Sequence, residues 1–118
     1  MRLTEAIARM EGFNVPGSRA ARNSNPGNIE WGAFAQANGA DRIETVGPHQ
    51  KARFAHFPSS QVGFDALKAL LLKHYKGLTV QQMMQKYAPP CENNTTNYTK
   101  NLCEWTGLTP GTVIDEYL

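Results

Sequence analysis

The sequence predicts an α+β fold, a mostly helical body with a small antiparallel β lobe inserted after the first helix. Three observations carry that expectation. Apolar residues recur at helical spacing in the first dozen residues and again, more strongly, after Pro58, and a 3.6-residue period places such residues on one helix face. Between them, over about residues 25 to 57, short extended runs are separated by Gly, Pro, Asn and Ser, which belong to turns rather than helix interiors. Helices flanking a small antiparallel sheet make an α+β domain, and 118 residues suffice for one such domain but not for two.

Leu3, Ala6, Ile7 and Met10 put residues 3 to 12 in an amphipathic helix, capped by Thr4 or a residue upstream and ended by Gly12. The following NVPGSRAARNSNPGNIEWGAF is dense in turn formers, and only NIEW offers a short extended run. From Gly39 to Phe57, RIETV, a VGPH turn and ARFAHF read as a small irregular antiparallel sheet. Pro58, Ser59 and Ser60 introduce the strongest helix, in which Phe64, Leu67, Leu70 and Leu71 keep the helical period until Gly77 stops it. Thr79 caps a shorter helix that Pro89 and Pro90 terminate. A further helix is expected from about Thr95 to Trp105, and a last one after Thr109 with Pro110 at its first position.

Composition narrows the function classes. Lys and Arg are scattered and the formal net charge is only +2, so DNA binding is not supported, while an anionic wall or glycan partner is permitted. No apolar run is long enough to span a bilayer, and a monomer is expected. Nor does a secretion signal precede the first helix; a periplasmic or extracellular protein would then have lost its leader or would leave the cell by another route, as phage lysins do. Cys91 and Cys103 would close a short loop if bonded, adding on the order of 3 kcal/mol and favouring an oxidising compartment, but two positions leave pairing and two reduced thiols both open. His49, His56 and His74 lack metal-ligand spacing with one another or with the cysteines, so neither a metal nor a cofactor is expected. A cysteine peptidase built on Cys91 is disfavoured, because two close cysteines more readily pair.

Glu11 is the residue whose position suggests chemistry. A carboxylate at a helix C-terminus faces the negative end of the macrodipole, and Met10 and Phe13 flank it. Both effects raise its pKa and favour the protonated acid, which suits proton donation near neutral pH. Position alone equally describes a solvated glutamate that ends a helix.

Four stretches, AIARMEGF, RNSNPGNIEWGAFA, RFAHFPSSQVGFDALKALLLKHY and KYAPPCENNTTNYTKNL, spread over about residues 3 to 103, resemble in order the catalytic-glutamate helix, Asn-rich turn, aromatic strand with core helix, and late tyrosine motif of the lysozyme-like superfamily of peptidoglycan-cleaving enzymes, namely lytic transglycosylases and glucosaminidase-type lysins. The resemblance implies a lysozyme-like fold, glycan strands of peptidoglycan as partner, and a cleft between the helical body and the lobe. It implies Glu11 as the general acid that protonates the glycosidic oxygen, and Tyr98 as a catalytic tyrosine whose hydroxyl orients or stabilises the reacting sugar. A half-buried helix aromatic is the plainer account of Tyr98.

A glycosidase ordinarily uses two carboxylates, about 5 Å apart for retention or roughly 6.5–9.5 Å for inversion, whereas lytic transglycosylases resemble single-glutamate enzymes. Glu30, Asp41, Glu44 and Glu92 are the candidates for a second carboxylate, with Glu30 and Glu92 also expected to contact substrate. Asn25, Asn28, Asn93 and Asn94 suit the N-acetyl and hydroxyl groups of sugars, and equally suit turns and N-caps. Trp31, Phe34 and Tyr87 could form a sugar-stacking floor or pack in a core. The alternative from another class is a non-catalytic peptidoglycan-binding or interaction module, motivated by the missing clear second carboxylate.

Overall fold

The computed structural model describes residues 1–90 and 94–118. Cys91, Glu92 and Asn93 lie outside the described residues, and with them the Cys91–Cys103 pairing left open above, the Glu92 carboxylate and the Asn93 amide. Among the described residues, six α-helices and one two-stranded antiparallel sheet make an α+β architecture that is mostly helical.

Helix α1, Leu3–Met10, starts where Glu5 Oε1 accepts the Arg2 N–H at 3.1 Å. It buries Leu3, Ala6 and Ile7. Its end follows from backbone accounting: Gly12, at φ +79°, donates to Arg9 O, and Phe13 donates to Ala8 O. This pair of bonds satisfies two terminal carbonyls and needs a left-handed residue that glycine adopts without strain. Glu11 is thereby fixed as the last residue of the turn.

Two short helices occupy the stretch expected to be turns alone. Helix α2, Arg19–Arg22, is capped by Ser18, whose Oγ accepts the Ala21 N–H and donates to Gly12 O. Helix α3 is Ala33–Ala37. Four or five residues are too few to show a hydrophobic period and form a stable helix only when packed. Here the burial of Ala20 and Ala35 supplies that packing.

Strands β1, Arg42–Ile43, and β2, Ala55–His56, pair antiparallel with Arg42 opposite His56. The NIEW run joins through an antiparallel bridge between Glu30 and Phe54 and an Ala55 N–H bond to Ile29 O, so the irregular sheet forms from the segments that predict it. Its register puts Ala55 and Phe57 in a small apolar cluster with Ile29, Ala35 and Ala66.

Helix α4, Ser60–His74, is capped by Ser59. Its Ala66 belongs to the lobe cluster, while Leu67 and Leu71 belong to the body cluster with Leu3, Ile7, Met83 and Leu102. Helix α5, Val80–Tyr87, begins with a capping box in which Thr79 Oγ1 accepts from Gln82 N and Gln82 Oε1 accepts from Thr79 N. Helix α6, Thr95–Thr106, is capped by Asn94 Oδ1, which accepts the Asn97 N–H, and stops at Gly107 with φ +78°.

The last expected helix is corrected. Pro110 lies in a turn closed by the Thr112 N–H on Thr109 O, and only a 3₁₀ helix, Ile114–Tyr117, follows. The segment does not continue as a helix, and its carbonyls serve α5 instead: Pro110 O accepts the Gln81 N–H and Thr112 O accepts the Val80 N–H. Those two donors belong to a first helical turn, which has no partners of its own. No helix among the described residues is long and apolar enough to cross a membrane.

Candidate active site

Glu11 opens into a hollow of about 390 Å³ where the end of α1, the 27–30 turn, the residues just before β2 and the facing ends of α4 and α5 meet, lined by Glu11, Gly27, Asn28, Ile29, Glu30, Arg53, Phe54, Leu70, Tyr75 and Tyr87. The carboxyl is half-buried. Asn28 Nδ2 donates to Glu11 Oε2 at 3.0 Å, and the Tyr87 hydroxyl lies beside the carboxyl. Burial is the largest influence on its pKa and raises it above the ordinary glutamate value, while the Asn28 amide and the neighbouring Tyr87 hydroxyl pull the other way without cancelling the rise. The protonated form is thus favoured more than in a solvated glutamate, the direction a general acid needs.

The turn that carries Asn28 is built to hold it. Asn25 is fully buried, and its side chain is a clasp: Nδ2 donates to Ile29 O and Ala55 O at 2.9 Å each, while Oδ1 accepts the Ile29 N–H at 2.9 Å. Expected to contact sugar, Asn25 instead spends its amide tying the turn to β2. Gly63 on α4 lets the turn seat closely, since a Cβ there would stand 2.1 Å from Ser24 O and 2.7 Å from Pro26 Cδ. Asn28 itself sits at φ +47°, a left-handed conformation that asparagine tolerates better than most residues. Its Oδ1 is buried with no hydrogen-bond partner among the described residues.

Tyr87 closes the hollow from α5. Its hydroxyl donates to Gly27 O at 3.1 Å, and its ring lies against Tyr75 with centroids 6.1 Å apart. Burial, reinforced by the Glu11 charge, raises the Tyr87 pKa well above the ordinary phenol value, so the hydroxyl keeps its proton. The second tyrosine, Tyr98, falls elsewhere: it is half-buried on α6, packed against the body core, and does not line this hollow. The tyrosine beside the acid is Tyr87. Trp31, like Phe34, packs against the lobe cluster rather than lining the hollow.

The candidates for a second carboxylate separate cleanly. Glu44 has only 3% of its surface exposed and is saturated by donors: Arg19 Nε at 2.8 Å, Arg19 Nη2 at 2.6 Å, Asn23 Nδ2 at 3.3 Å, and the backbone N–H groups of Arg53 and Phe54 at 2.9 and 2.7 Å. Arg19 foremost holds its pKa down to about 2. Asp41 is engaged by His56 Nδ1 at 2.7 Å, which lowers its pKa. Glu30 alone of the described candidates lines the hollow with Glu11, and it is ion-paired to Arg53 at 2.6 Å.

The structure thus brings together Glu11, Asn28, Glu30 and Tyr87, and adds Tyr75, Arg53 and Phe54. Tyr75 ends α4, where the sequence shows only another apolar helix position. Asn94 takes the N-cap role open to it. Cys103 is half-buried on α6 with no disulfide partner among the described residues, and burial raises its pKa. A roomier groove of about 730 Å³ between α5 and α6 carries Cys103, Lys100 and Glu104. Among the described residues no cluster of His, Cys, Asp and Glu could hold a metal ion.

No protein-family model matches the chain, and no match is found among the curated proteins.

Proposed function

We propose that the protein cleaves the glycan strands of peptidoglycan, with Glu11 as the general acid that protonates the glycosidic oxygen, on a fold of lysozyme-like type. The observation that carries this reading is the half-buried Glu11 carboxyl with a raised pKa, held at 3.0 Å by Asn28 in a hollow open to solvent. Tyr75 and Phe54 add apolar aromatic surface to the rim of the hollow. In this reading the proton moves from Glu11 to the leaving oxygen, and Asn28 stabilises the carboxylate left behind through the hydrogen bond that lowers its pKa. The partner is the cell wall, met by a monomer in the periplasm or outside the cell.

Glu30 is the described carboxylate available to act with Glu11, and its ion pair with Arg53 favours a supporting part over that of nucleophile. A single-glutamate course, in which the Glu11 carboxylate later accepts a proton from the muramic acid hydroxyl, fits that arrangement. The deciding experiment is mass spectrometry of soluble products released from purified peptidoglycan by the wild type and by Glu11→Gln. Anhydromuramoyl ends that vanish in the variant support a transglycosylase, and reducing ends support a hydrolase. Saturable binding to sacculi without any product, from the wild type, would overturn the enzymatic reading in favour of a binding module.

A further inference from the structure

The hollow around Glu11 has one positively charged wall. Among the described residues that line it, Arg53 is the sole cation. Its guanidinium is engaged on one side only: Nε donates to Glu30 Oε1 at 2.7 Å and Nη2 lies 2.6 Å from the same oxygen, whereas Nη1 has no partner among the described residues. The group is nevertheless held in place. Its plane lies over the Phe54 ring at 4.9 Å, its backbone N–H is taken by buried Glu44, and its carbonyl accepts the Trp31 N–H. With side chains 63% and 60% exposed, the Arg53–Glu30 pair is the solvent-screened kind that contributes little and exchanges partners readily.

A guanidinium that is positioned, weakly engaged and open along its Nη edge is suited to binding a carboxylate through two parallel hydrogen bonds. Resting on the reading that this hollow cleaves peptidoglycan, we propose that Arg53 is its specificity-determining residue and binds a carboxylate of the strand along its Nη edge, with Glu30 on the Nε side as the neighbouring charge that weakens its hold. Peptidoglycan offers that group from two sources: the lactyl ether of muramic acid once the stem peptide is gone, and the stem peptide while it remains. A neutral strand has neither, so Arg53 selects acidic glycans over neutral ones.

The test uses the full chain and four substrates: intact peptidoglycan, stem-free strands with free lactyl groups, and each of these after carbodiimide amidation of its carboxylates. The readout is the ratio of kcat/KM for the free acid to that for the amidated strand. Wild type should prefer the acid, Arg53→Gln should lower that ratio by about five- to tenfold, and Glu30→Gln, by releasing the guanidinium, should raise it. Arg53→Lys should restore only part of the preference, because an ammonium cannot bind bidentately. A preference confined to the stem-free pair supports the lactyl group as the carboxylate bound, and one confined to the intact pair supports the stem peptide. Turnover with the same ratio in wild type, Arg53→Gln and Glu30→Gln would overturn the inference and leave the proposed function standing. Absence of turnover of every strand by the wild type would overturn both.

Discussion

Asn28 donates its side-chain N–H to Glu11 at 3.0 Å from a backbone held at φ +47°, so the donor that orients the acid depends on a left-handed residue in the neighbouring turn. Replacing Asn28 with Ala would mix two effects, since Ala strains that backbone. Asn28→Gly keeps the conformation and removes only the side chain. The Asn28 bond lowers the Glu11 pKa, so its loss lets that pKa rise further, and the limb of the pH–rate profile that falls as the acid ionises should move to higher pH. Loss of orientation should also lower kcat by about 10- to 100-fold. An unshifted limb would separate Asn28 from the acid.

Glu11→Gln should abolish turnover and, at neutral pH, raise the melting temperature. The folded-state pKa of Glu11 lies above its ordinary value because burial disfavours the charge. Folding therefore favours the protonated form, and that stability is complete below the unfolded pKa and lost as pH rises through the folded one. Gln carries no such loss. Calorimetry should show the variant more stable than wild type at pH 7, with the gap closing below about pH 4. A variant less stable at pH 7 would contradict this account of the carboxyl.

Gly63→Ala should destabilise, against the usual gain of about 0.5–1 kcal/mol for Gly to Ala within a helix. The added methyl would stand 2.1 Å from Ser24 O, and the turn carrying Asn28 would have to lift from α4. Overpacking of this kind costs about 1–3 kcal/mol, or roughly 5–10 °C in melting temperature for a domain near this size. Activity should fall further than stability explains, because the same turn orients Glu11.

Glu44 gives the lobe an acid-sensitive fastening. Its pKa is held down to about 2, first by Arg19. A depressed folded-state value contributes stability that is present above the unfolded value and lost as pH falls through the folded one. Unfolding followed against pH should therefore show this contribution fading between about 4.5 and about 2. Glu44→Gln should melt several degrees lower at pH 7, with the difference narrowing across that window. Equal melting at pH 7 would mean that the Arg19–Glu44 bond contributes nothing net.

What the sequence made legible were the features written in local chemistry. Gly12, Ser59 and Thr79 each set a helix boundary through their own backbone or hydroxyl, and the Glu11 environment follows from the first of these. Tertiary choices were not legible. Asn25 and Asn28 stand three residues apart in one turn, yet β2 captures the first amide and α1 the second. Tyr87 and Tyr98 both lie on helices, and only the packing of α5 against the lobe decides which of them faces the acid. The charges of Arg19 and Glu44 are 25 residues apart, so their pairing leaves no local signal. Helices α2 and α3 are too short to show a period. Pro110 carries a helix-start signal that the needs of α5 override.

Helix α4 contributes to both apolar clusters, Ala66 to the lobe and Leu67 and Leu71 to the body, and so the two sides of the hollow hang from a single rod. A hinge that closed the lobe over a sugar would have to tear Ala66 from one cluster or Leu67 and Leu71 from the other. The entropy of arranging the site is accordingly spent during folding. On the proposed reading, a strand would meet a hollow already in working shape, and its capture would be governed by diffusion and desolvation rather than by waiting for a jaw to shut.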